Sequence, residues 1–326
     1  MALLRFDQFQ EQRLYGDGGF YMSGGAAGAG GDFFTAPELG NEFARAVGAA
    51  LDARWNLLGR PCPFVVVEGG AGVGTLALGC LQLPLDCREC LRWVMVEVSE
   101  VQRETAMQRL MGELTVDGAD AIAPVAAISD LGRARFDHDV HFVVANELLD
   151  NLPVRIVRRV DDAVEELFVE VGVSSAETVW RAADGGATTR ALHHGGAVAD
   201  GVEFPLADRM ALWVHQAIEL VGIGGEVTIM DYGATTGELA QRPNRGWLRT
   251  YDRHRRGSDP FDLDHPVDIT CDVPFDQLHR GATCMTQREW VLTHRPQASD
   301  RNDPGTVALL DQNGVGGFTV ATWVRR

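Results

Sequence analysis

Short, continuous apolar runs alternate with segments of helical periodicity through the first half of the chain. Phe64–Glu68, Trp93–Val98 and Phe142–Ala145 have the β-branched composition of strands that are buried on both faces of a parallel sheet. A shorter run, Val125–Ile128, predicts one more strand between the second and third of these. Helical patterns follow the first run and cover Glu100–Leu114. Strands that alternate with helices in this way predict a doubly wound, mostly parallel α/β sheet.

The second half of the chain follows a different pattern. Two alternating segments, one on each side of Asp161 and Asp162, predict a β-hairpin, and the Ala/Gly-rich stretch after it carries only a weak pattern to about residue 202. Residues 205–221 predict a helix, and Glu226–Asp231 predicts another buried strand. Residues 288–294 and the C-terminal segment predict antiparallel strands at one edge of the sheet.

The irregular blocks divide the chain into four predicted regions. They are an N-terminal lid and helical cover at 1–60, a Rossmann-like cofactor-binding core at 61–153, an inserted hairpin and substrate cover at 154–202, and the rest of the core sheet at 203–326, with an insertion at about 234–280. The glycine-dense segment 16–31 resists regular structure, so we expect a flexible loop or lid there.

Composition removes several kinds of chemistry. The 326 residues carry a formal net charge of −17, and all 29 basic residues are arginine. Without lysine, neither a Schiff-base intermediate nor a standard P-loop can form. The acidic balance argues against nucleic-acid binding through phosphate contacts and favours a cationic substrate.

The chain also carries hints about its compartment. No apolar run reaches the roughly 18 residues of a membrane span, and the N-terminus lacks a signal-peptide core. The lysine-free composition is typical of genes with high GC content, so we expect a bacterial source. The missing span and signal peptide predict a cytoplasmic protein without a membrane partner. Its six cysteines are then expected to be reduced thiols. Cys87 and Cys90 form a CxxC with no matching second pair, so no metal site is expected.

A glycine loop follows the first predicted strand and opens a helix. It reads Gly70-x-Gly72-x-Gly74 with Thr75 at the helix start, so a ligand can approach the backbone closely. Glu68 stands just before the loop, where it would oppose a pyrophosphate and would suit a cation such as the amine of S-adenosylmethionine. Dinucleotide binding is disfavoured because the third glycine of GxGxxG is missing. A tight β–α turn without a ligand is the remaining alternative.

Polar residues also follow two other predicted strands. Glu97 lies at the end of the second strand, where a carboxylate can accept hydrogen bonds from both ribose hydroxyls. The strand at 142–145 is followed by Asn146, Glu147 and Asp150. Ligands of open α/β sheets lie beyond the carboxyl ends of the strands, so we expect these side chains to face the substrate. The alternative is that Asn146 is only a turn cap and Glu147 only a solvated acid at a helix start.

Several sequence blocks resemble the MidA-type methyltransferases, the family that includes the mitochondrial complex I assembly factor that methylates a protein arginine. The blocks are Gly31–Glu38, Glu68–Leu76, Ala145–Val154 and Asp231–Gly233, the last continued by Leu248–Tyr251 and Asp268–Thr270. The chain departs from the family pattern at Gly69, Ala71, Asn41 and Asp272–Phe275. The last two departures fall in segments that are expected to face the substrate, so they affect substrate identity more than the cofactor.

The resemblance implies a class I methyltransferase with a seven-stranded sheet, S-adenosyl-L-methionine as donor and S-adenosyl-L-homocysteine as product. Together with the strand-end pattern, it gives three sets of site residues. The cofactor-binding set is Glu68, Gly70, Gly72, Gly74, Thr75, Glu97, Gly31, Asp32, Ile128 and Asn146. The catalytic set is Glu147, Asn146 and Asp150. The substrate set is Phe33, Phe34, Asp231 and Tyr232.

The expected reaction is methyl transfer to an arginine side chain of a protein partner. Glu147 and Asp150 are expected to bind the guanidinium, and Asn146 to orient the acceptor nitrogen or the donor's amine. Asp32 with Phe33 or Phe34 would close the lid and exclude water. Methyl transfer to a small molecule and a non-catalytic, donor-binding assembly role are the alternatives. A homodimer is left open.

Overall fold

The computed structural model describes residues 2–22, 36–114, 125–128, 130–133, 136–173, 175–252, 255–256, 259–263 and 266–326. Four predicted site residues lie outside the described residues: Gly31, Asp32, Phe33 and Phe34. The side chain of Ile128 lies outside them as well, and the predicted lid is described only over 16–22.

The strands of the described chain are numbered in sequence order. They are β1 Ala2–Arg5, β2 Phe64–Gly69, β3 Leu91–Val96, β4 Val125–Ile128, β5 Val140–Asn146, β6 Arg155–Val160, β7 Ala163–Val171, β8 Ala176–Ala182, β9 Glu203–Leu206, β10 Val221–Asp231, β11 Gly233–Ala234, β12 Leu248–Asp252, β13 Arg255–Arg256, β14 Asp268–Cys271, β15 Val273–Pro274, β16 Thr283–Thr286 and β17 Thr319–Val324.

The helices are numbered in the same way. They are α1 Phe6–Tyr15, α2 Asn41–Leu57, α3 Thr75–Leu81, α4 Glu100–Leu114, α5 Gly185–His194, α6 Asp208–Leu220, α7 Thr236–Ala240, α8 Gln287–His294 and α9 Pro304–Leu310. Short 3-10 helices include Ala36–Glu38 and Leu149–Asn151.

Two compact units make up the chain. The parallel-sheet unit is built from residues 26–148, 215–232 and 281–326, and the antiparallel unit from 1–25, 149–214 and 233–280. Each unit is therefore assembled from three separate stretches of sequence, and each has its own sheet.

The parallel-sheet unit holds seven strands in the order β16-β17-β10-β5-β2-β3-β4. The five strands from β10 to β4 are parallel, and β17 runs antiparallel to both β10 and β16. This arrangement confirms the prediction of a doubly wound, mostly parallel seven-stranded sheet. The chain passes from β2 to β3 and β4 and then returns to β5 on the other side of β2. The reversal creates a switch point at the carboxyl ends of β2 and β5, the usual ligand position in such sheets.

Apolar packing fixes the central strands of this sheet. Every residue of β2 is buried, as the continuous apolar run predicts for a strand that is covered on both faces. Phe64, Val66, Trp93 and Phe142 belong to one cluster that also contains the apolar side chains of α2 and α3. The strand ends that carry the predicted site residues are therefore anchored in a rigid core.

The antiparallel unit contains the sheet β1-β7-β6-β9, with β8 paired to β7. The predicted hairpin is confirmed, because β6 pairs with β7 around Asp161, which has a left-handed φ of 52°. The buried Arg155 guanidinium donates hydrogen bonds to Glu166 at 2.6 and 2.5 Å and to Asp184 at 2.6 Å. Asp184 also caps α5, so one arginine joins the sheet to that helix.

One prediction of local structure was wrong, and three further elements were not predicted individually. Residues 288–294 lie in α8, not in a strand, because Thr286 and Glu289 form a capping box and the buried Trp290 and Val291 lie on the inner face of the helix. The weak stretch before residue 202 contains β8 and α5. Helix α1 lies within the predicted N-terminal cover, but its polar sequence offers little periodic signal for its bounds.

The cysteine chemistry also differs from the expectation of free thiols. Cys62 and Cys90 form a disulfide that joins the starts of β2 and β3, where Phe64 pairs with Leu91. Cys90 therefore bonds across the parallel strand pair and not to Cys87 of its own CxxC, which stays a buried thiol. Pairing of two strands that are distant in sequence brings these cysteines together, and spacing within the CxxC does not reveal it.

The described residues contain neither a metal-binding cluster nor a membrane-spanning helix. No group of three or more His, Cys, Asp or Glu side chains there is arranged to hold a metal ion. None of the described helices combines the length and the apolar character needed to cross a membrane.

Candidate functional site

The glycine loop between β2 and α3 has the backbone geometry that only glycine adopts at low cost. Gly70, Gly72 and Gly74 have φ values of 64°, 53° and 76°. A Cβ at Gly74 would lie 2.9 Å from Cδ1 of Leu110 and 3.1 Å from Cβ of Ala106. The last glycine therefore lets the start of α3 pack against α4, while the middle one leaves its backbone uncovered.

Glu97 joins this loop to the end of β3. Its Oε2 accepts a hydrogen bond from the Gly72 N–H at 3.0 Å, and its Oε1 accepts one from the Ser99 N–H at 2.9 Å. The pKa of Glu97 is raised above its ordinary value, because the effect of burial outweighs these two hydrogen bonds, which lower it. Each carboxylate oxygen has a second lone-pair direction, so the group can still accept hydrogen bonds from a ligand.

Glu68, the other predicted acid of this loop, points into the protein core. Trp93 donates its indole N–H to Oε2 of Glu68 at 2.9 Å, and the side chain is 4% exposed. Burial raises the pKa of Glu68 to about 8, against the hydrogen bond from Trp93. The carboxyl group is therefore mostly protonated at neutral pH, unlike the carboxylate that was expected to meet a cation.

Asn146 and Glu147 form a hydrogen-bonded pair at the end of β5. Nδ2 of Asn146 donates to Oε1 of Glu147 at 3.1 Å, and the Ala36 N–H donates to the same oxygen at 3.1 Å. Glu147 has a left-handed φ of 50°, a strained conformation for a residue other than glycine. Its own N–H donates to the carbonyl of Met230 on β10 at 2.9 Å. These contacts hold the turn in place and fix the direction of the Glu147 carboxylate.

One polar atom of this pair has no match. Oδ1 of Asn146 is buried, and it has no hydrogen-bond partner among the described residues. A buried acceptor that forms no hydrogen bond costs about 1–3 kcal/mol. Gly69 pairs with Ala145, so Asn146 follows directly on the strand beside the glycine loop. The atom is thus suited to a ligand N–H at the switch point.

Asp231 and Tyr232 end the next strand, β10. Asp231 is fully buried, and its Oδ1 accepts a hydrogen bond from the Tyr232 N–H at 2.9 Å. The Tyr232 ring packs 5.3 Å from the Phe318 ring, at an interplanar angle of 54°. The pair therefore terminates β10 against β17, and its predicted contact with substrate stays a prediction.

The remaining predicted residues lie at different places. Thr75 accepts a hydrogen bond through Oγ1 from Arg109 of α4 at 3.1 Å, which ties the start of α3 to α4. Asp150 lies buried in the short helix Leu149–Asn151 of the antiparallel unit, where its charge helps to raise the pKa of Tyr21 well above its ordinary value, after the larger effects of burial and of Asp268 and Tyr15. The shared role predicted for Asp150 and Glu147 stays a prediction.

Three residues that support the site were not predicted from the sequence. Trp93 orients Glu68, Ser99 donates its N–H to Glu97, and Arg103 donates to the carbonyls of Glu97 and Val98 at 2.5 and 2.8 Å. A signal for the last two was present, because Ser99 stands at the start of a helical pattern and Arg103 lies one turn further on. Trp93 gave no such signal within its apolar run.

The described residues fit a nucleoside donor that carries positive charge. The uncovered backbone at Gly72 admits a ligand, since a Cβ there would meet only Oε1 of Gln102, at 3.4 Å. Glu97 can accept ribose hydroxyls, and Oδ1 of Asn146 can accept an N–H. These are hydrogen-bond acceptors grouped at one switch point, which suits the hydroxyls and the amine of such a donor.

Comparison with known proteins decides the family. The family model described as "Putative S-adenosyl-L-methionine-dependent methyltransferase" matches residues 46–291, about three quarters of the chain. The chain belongs to this family. The match includes the glycine loop, Glu97, Asn146 and Glu147. Family membership confirms the predictions of a methyltransferase and of S-adenosyl-L-methionine as its donor.

Individual relatives add detail. "Protein arginine methyltransferase NDUFAF7 homolog, mitochondrial" from Drosophila melanogaster is 29% identical over 325 residues, covering 90% of this chain and 71% of that protein. The human protein of the same name is 27% identical over 281 residues, covering 81% of this chain and 62% of that protein. The match to the human relative thus spans less than two thirds of that relative's length.

A solved structure confirms the class I methyltransferase fold. It is that of a likely methyl transferase from Burkholderia thailandensis bound to S-adenosyl-homocysteine. The two chains superpose with a TM-score of 0.82 at 25% identity, covering 99% of this chain and 88% of that chain.

Proposed function

We propose that this protein transfers a methyl group from S-adenosyl-L-methionine to an arginine side chain of a protein acceptor. The observation that carries the proposal is the fixed Asn146–Glu147 pair, which places a carboxylate and an unmatched acceptor next to the glycine loop. A guanidinium is a cation with five N–H donors, so it complements such a pair. The names of the fly and human relatives support the same acceptor class.

The glycine-loop side is proposed to bind the donor. Bound S-adenosyl-L-methionine supplies an electrophilic methyl group on a positively charged sulfur. Glu97 accepts the ribose hydroxyls, and the backbone of Gly70, Gly72 and Gly74 allows the donor to lie close to the loop. Glu68 supports the loop from the core side through its hydrogen bond with Trp93. Thr75, which is bonded to Arg109, keeps the start of α3 in place.

The β5 side is proposed to bind and align the acceptor. Glu147 binds the guanidinium N–H groups, which concentrates the lone pair on the attacking nitrogen, and it can hold the proton that this nitrogen loses. Because Ala36 and Asn146 fix the Glu147 carboxylate, little reorganisation is needed when the acceptor binds. Asp150 is proposed as a further acid for the acceptor.

The other predicted contacts remain part of the proposal. Asp231 and Tyr232 are proposed to line the substrate side of β10. The segment with Gly31, Asp32, Phe33 and Phe34 is proposed to close over the donor and exclude water, and Ile128 to lie beside the donor. A cytoplasmic, bacterial location is proposed as well.

Transfer of an isotope label tests the acceptor class. The purified protein is incubated with trideuteromethyl S-adenosyl-L-methionine and, separately, with protein and metabolite extracts, with the Glu97→Ala variant as the control. We expect labelled arginine in tryptic peptides of the protein extract. Label found only in metabolites would favour a small-molecule acceptor. No label in either extract, together with measurable binding of S-adenosyl-homocysteine, would indicate a donor-binding protein without turnover.

A further inference from the structure

Strand β8 forms an open edge of the antiparallel sheet. On one side it pairs with β7 over its whole length, from Ala176 to Ala182. No described strand pairs with its other side. All seven residues of β8 are exposed or half-exposed, and none is proline. Such an edge presents a row of backbone N–H and C=O groups that can pair with another strand.

The hydrogen bonds to β7 show which groups point outward. The Gly172 N–H donates to the Ser175 carbonyl at 2.8 Å, and the Ala183 N–H donates to the Val164 carbonyl at 2.9 Å. Both bonds keep the register of the β7–β8 pair, so the odd-numbered residues from 175 to 183 bond to β7. The backbone groups of residues 176, 178, 180 and 182 therefore point away from β7, towards the open edge.

The sequence of β8, AETVWRA, is complementary to itself in one antiparallel register. If Val179 lies opposite Val179 of a second copy, Thr178 lies opposite Trp180, and both belong to the outward-pointing set that forms hydrogen bonds. Glu177 then lies opposite Arg181 of the other copy. That pair occupies a non-hydrogen-bonded position, where facing Cα atoms are about 4.5 Å apart and side chains approach closely. A shift by two residues would place Val179 opposite one of the charges and remove both ion pairs.

The charges of a single chain are poorly matched at this edge. Glu177 lies directly opposite Glu170 of β7, and like charges in this position are destabilising. Arg181 contacts Glu170 at 3.6 Å, with side chains 50% and 44% exposed. No described residue forms an ion pair with Glu177. Arg181 of a second copy would supply that missing positive charge.

We infer that β8 pairs antiparallel with β8 of a second copy of this chain, forming a two-fold symmetric dimer with Val179 on the axis. The pairing joins two five-stranded sheets into one and places Glu177 and Arg181 in two equivalent ion pairs. A single strand pair buries less surface than a standard interface, so we expect a dissociation constant in the micromolar range.

Sedimentation velocity of the full chain over a concentration series tests this inference. The wild type is expected to shift from monomer to dimer as the concentration rises through the micromolar range. Glu177→Arg and Arg181→Glu, each alone, place like charges opposite each other and should weaken the dimer at least tenfold. The double variant Glu177→Arg/Arg181→Glu restores opposite charges and should recover the wild-type dissociation constant.

A backbone variant tests the same edge without changing charge. Thr178→Pro removes an N–H that points away from β7, so it should abolish the dimer and leave the intrachain pairing and the melting temperature nearly unchanged. Thr178→Ala keeps this N–H and is the matched control. A wild type that stays monomeric at high concentration, a dimer that survives Thr178→Pro, or a double charge swap that does not restore the dimer would each overturn the inference. Pairing of β8 with a strand of a different protein would give the first of these results.

Discussion

The two sides of the switch point differ in how completely their polar groups are matched. At the end of β3, Glu97 accepts one backbone N–H on each oxygen, so its position is fixed before any ligand binds. At the end of β5, Glu147 is fixed by Ala36 and Asn146, yet Oδ1 of Asn146 lacks a partner among the described residues. We propose that the β3 side is preformed and that an N–H of the donor's amine or of the acceptor completes the hydrogen bonding of Asn146 on the β5 side.

The largest expected effect is a loss of turnover caused by a change on the β5 side. Glu147→Gln keeps an oxygen that can accept the Ala36 N–H but removes the negative charge, so turnover should fall by roughly 10²–10³-fold. Affinity for S-adenosyl-homocysteine, measured by calorimetry, should change less than twofold. A variant with wild-type turnover would show that Glu147 is not the acceptor carboxylate. Glu104→Gln, on the exposed face of α4, is the matched control.

The reciprocal variant acts on binding. Glu97→Ala removes the acceptor for two backbone N–H groups and the proposed ribose contacts, so affinity for S-adenosyl-homocysteine should fall about a hundredfold, near 3 kcal/mol. Calorimetry measures this loss, with Glu113→Ala as the control, because the one ion pair of Glu113 among the described residues is an exposed contact with Arg109. If Glu97→Ala and Glu113→Ala lose the same affinity for S-adenosyl-homocysteine, Glu97 does not act on the donor side.

The loop geometry gives a smaller effect on stability. Gly74→Ala must accept a φ of 76° and a contact of 2.9 Å with Leu110, so the free energy of unfolding should fall by about 2 kcal/mol in urea titrations. Gly112→Ala, in α4 with open space around the added Cβ, should leave stability unchanged or raise it slightly. If Gly74→Ala and Gly112→Ala lower the free energy of unfolding equally, local packing and backbone conformation do not require glycine at position 74.

The last effect depends on pH and concerns Glu68, the acid that points into the core. Its pKa is about 8 in the folded chain against an ordinary 4.5, so the unfolded chain loses this proton first as the pH rises. Folding stability should therefore fall between about pH 4.5 and pH 8, by at most about 1.4 kcal/mol per pH unit from this group. Glu68→Gln keeps an acceptor for Trp93 and should lack this slope, so its stability should rise relative to the wild type by roughly 2 kcal/mol between pH 6 and pH 7.5.

Chemical denaturation at several pH values measures this difference. Cys80, also buried near Glu68, is titrated only at higher pH because burial raises its pKa well above the ordinary value, so it does not interfere in this window. If wild type and Glu68→Gln change in parallel with pH, Glu68 is ionised in the folded chain.

Much of the parallel-sheet unit could be predicted because buried strands and glycine turns leave local signals. The runs at 64–68 and 142–145 predict buried strands from residue type alone, and glycine at 70, 72 and 74 permits the positive φ values that the turn adopts. The direction of a side chain at a strand end does not. Glu68 was expected to face a ligand, and its place on the same sheet face as Trp93 depends on pairing between β2 and β3.

Features that need contacts between distant residues were missed for the same reason. The Cys62–Cys90 disulfide depends on the register of two strands, and α8 was mistaken for a strand because a short apolar segment fits both periodicities. The self-complementary charges of β8 became visible only once its register against β7 was known.

A crystal structure with S-adenosyl-homocysteine tests the central claim, that the ends of β2, β3 and β5 form the donor site, most directly. We expect the ligand over the glycine loop, with both ribose hydroxyls within hydrogen-bond distance of Glu97 and the sulfur directed towards Asn146 and Glu147. A ligand bound elsewhere, or one whose ribose does not contact Glu97, would contradict it.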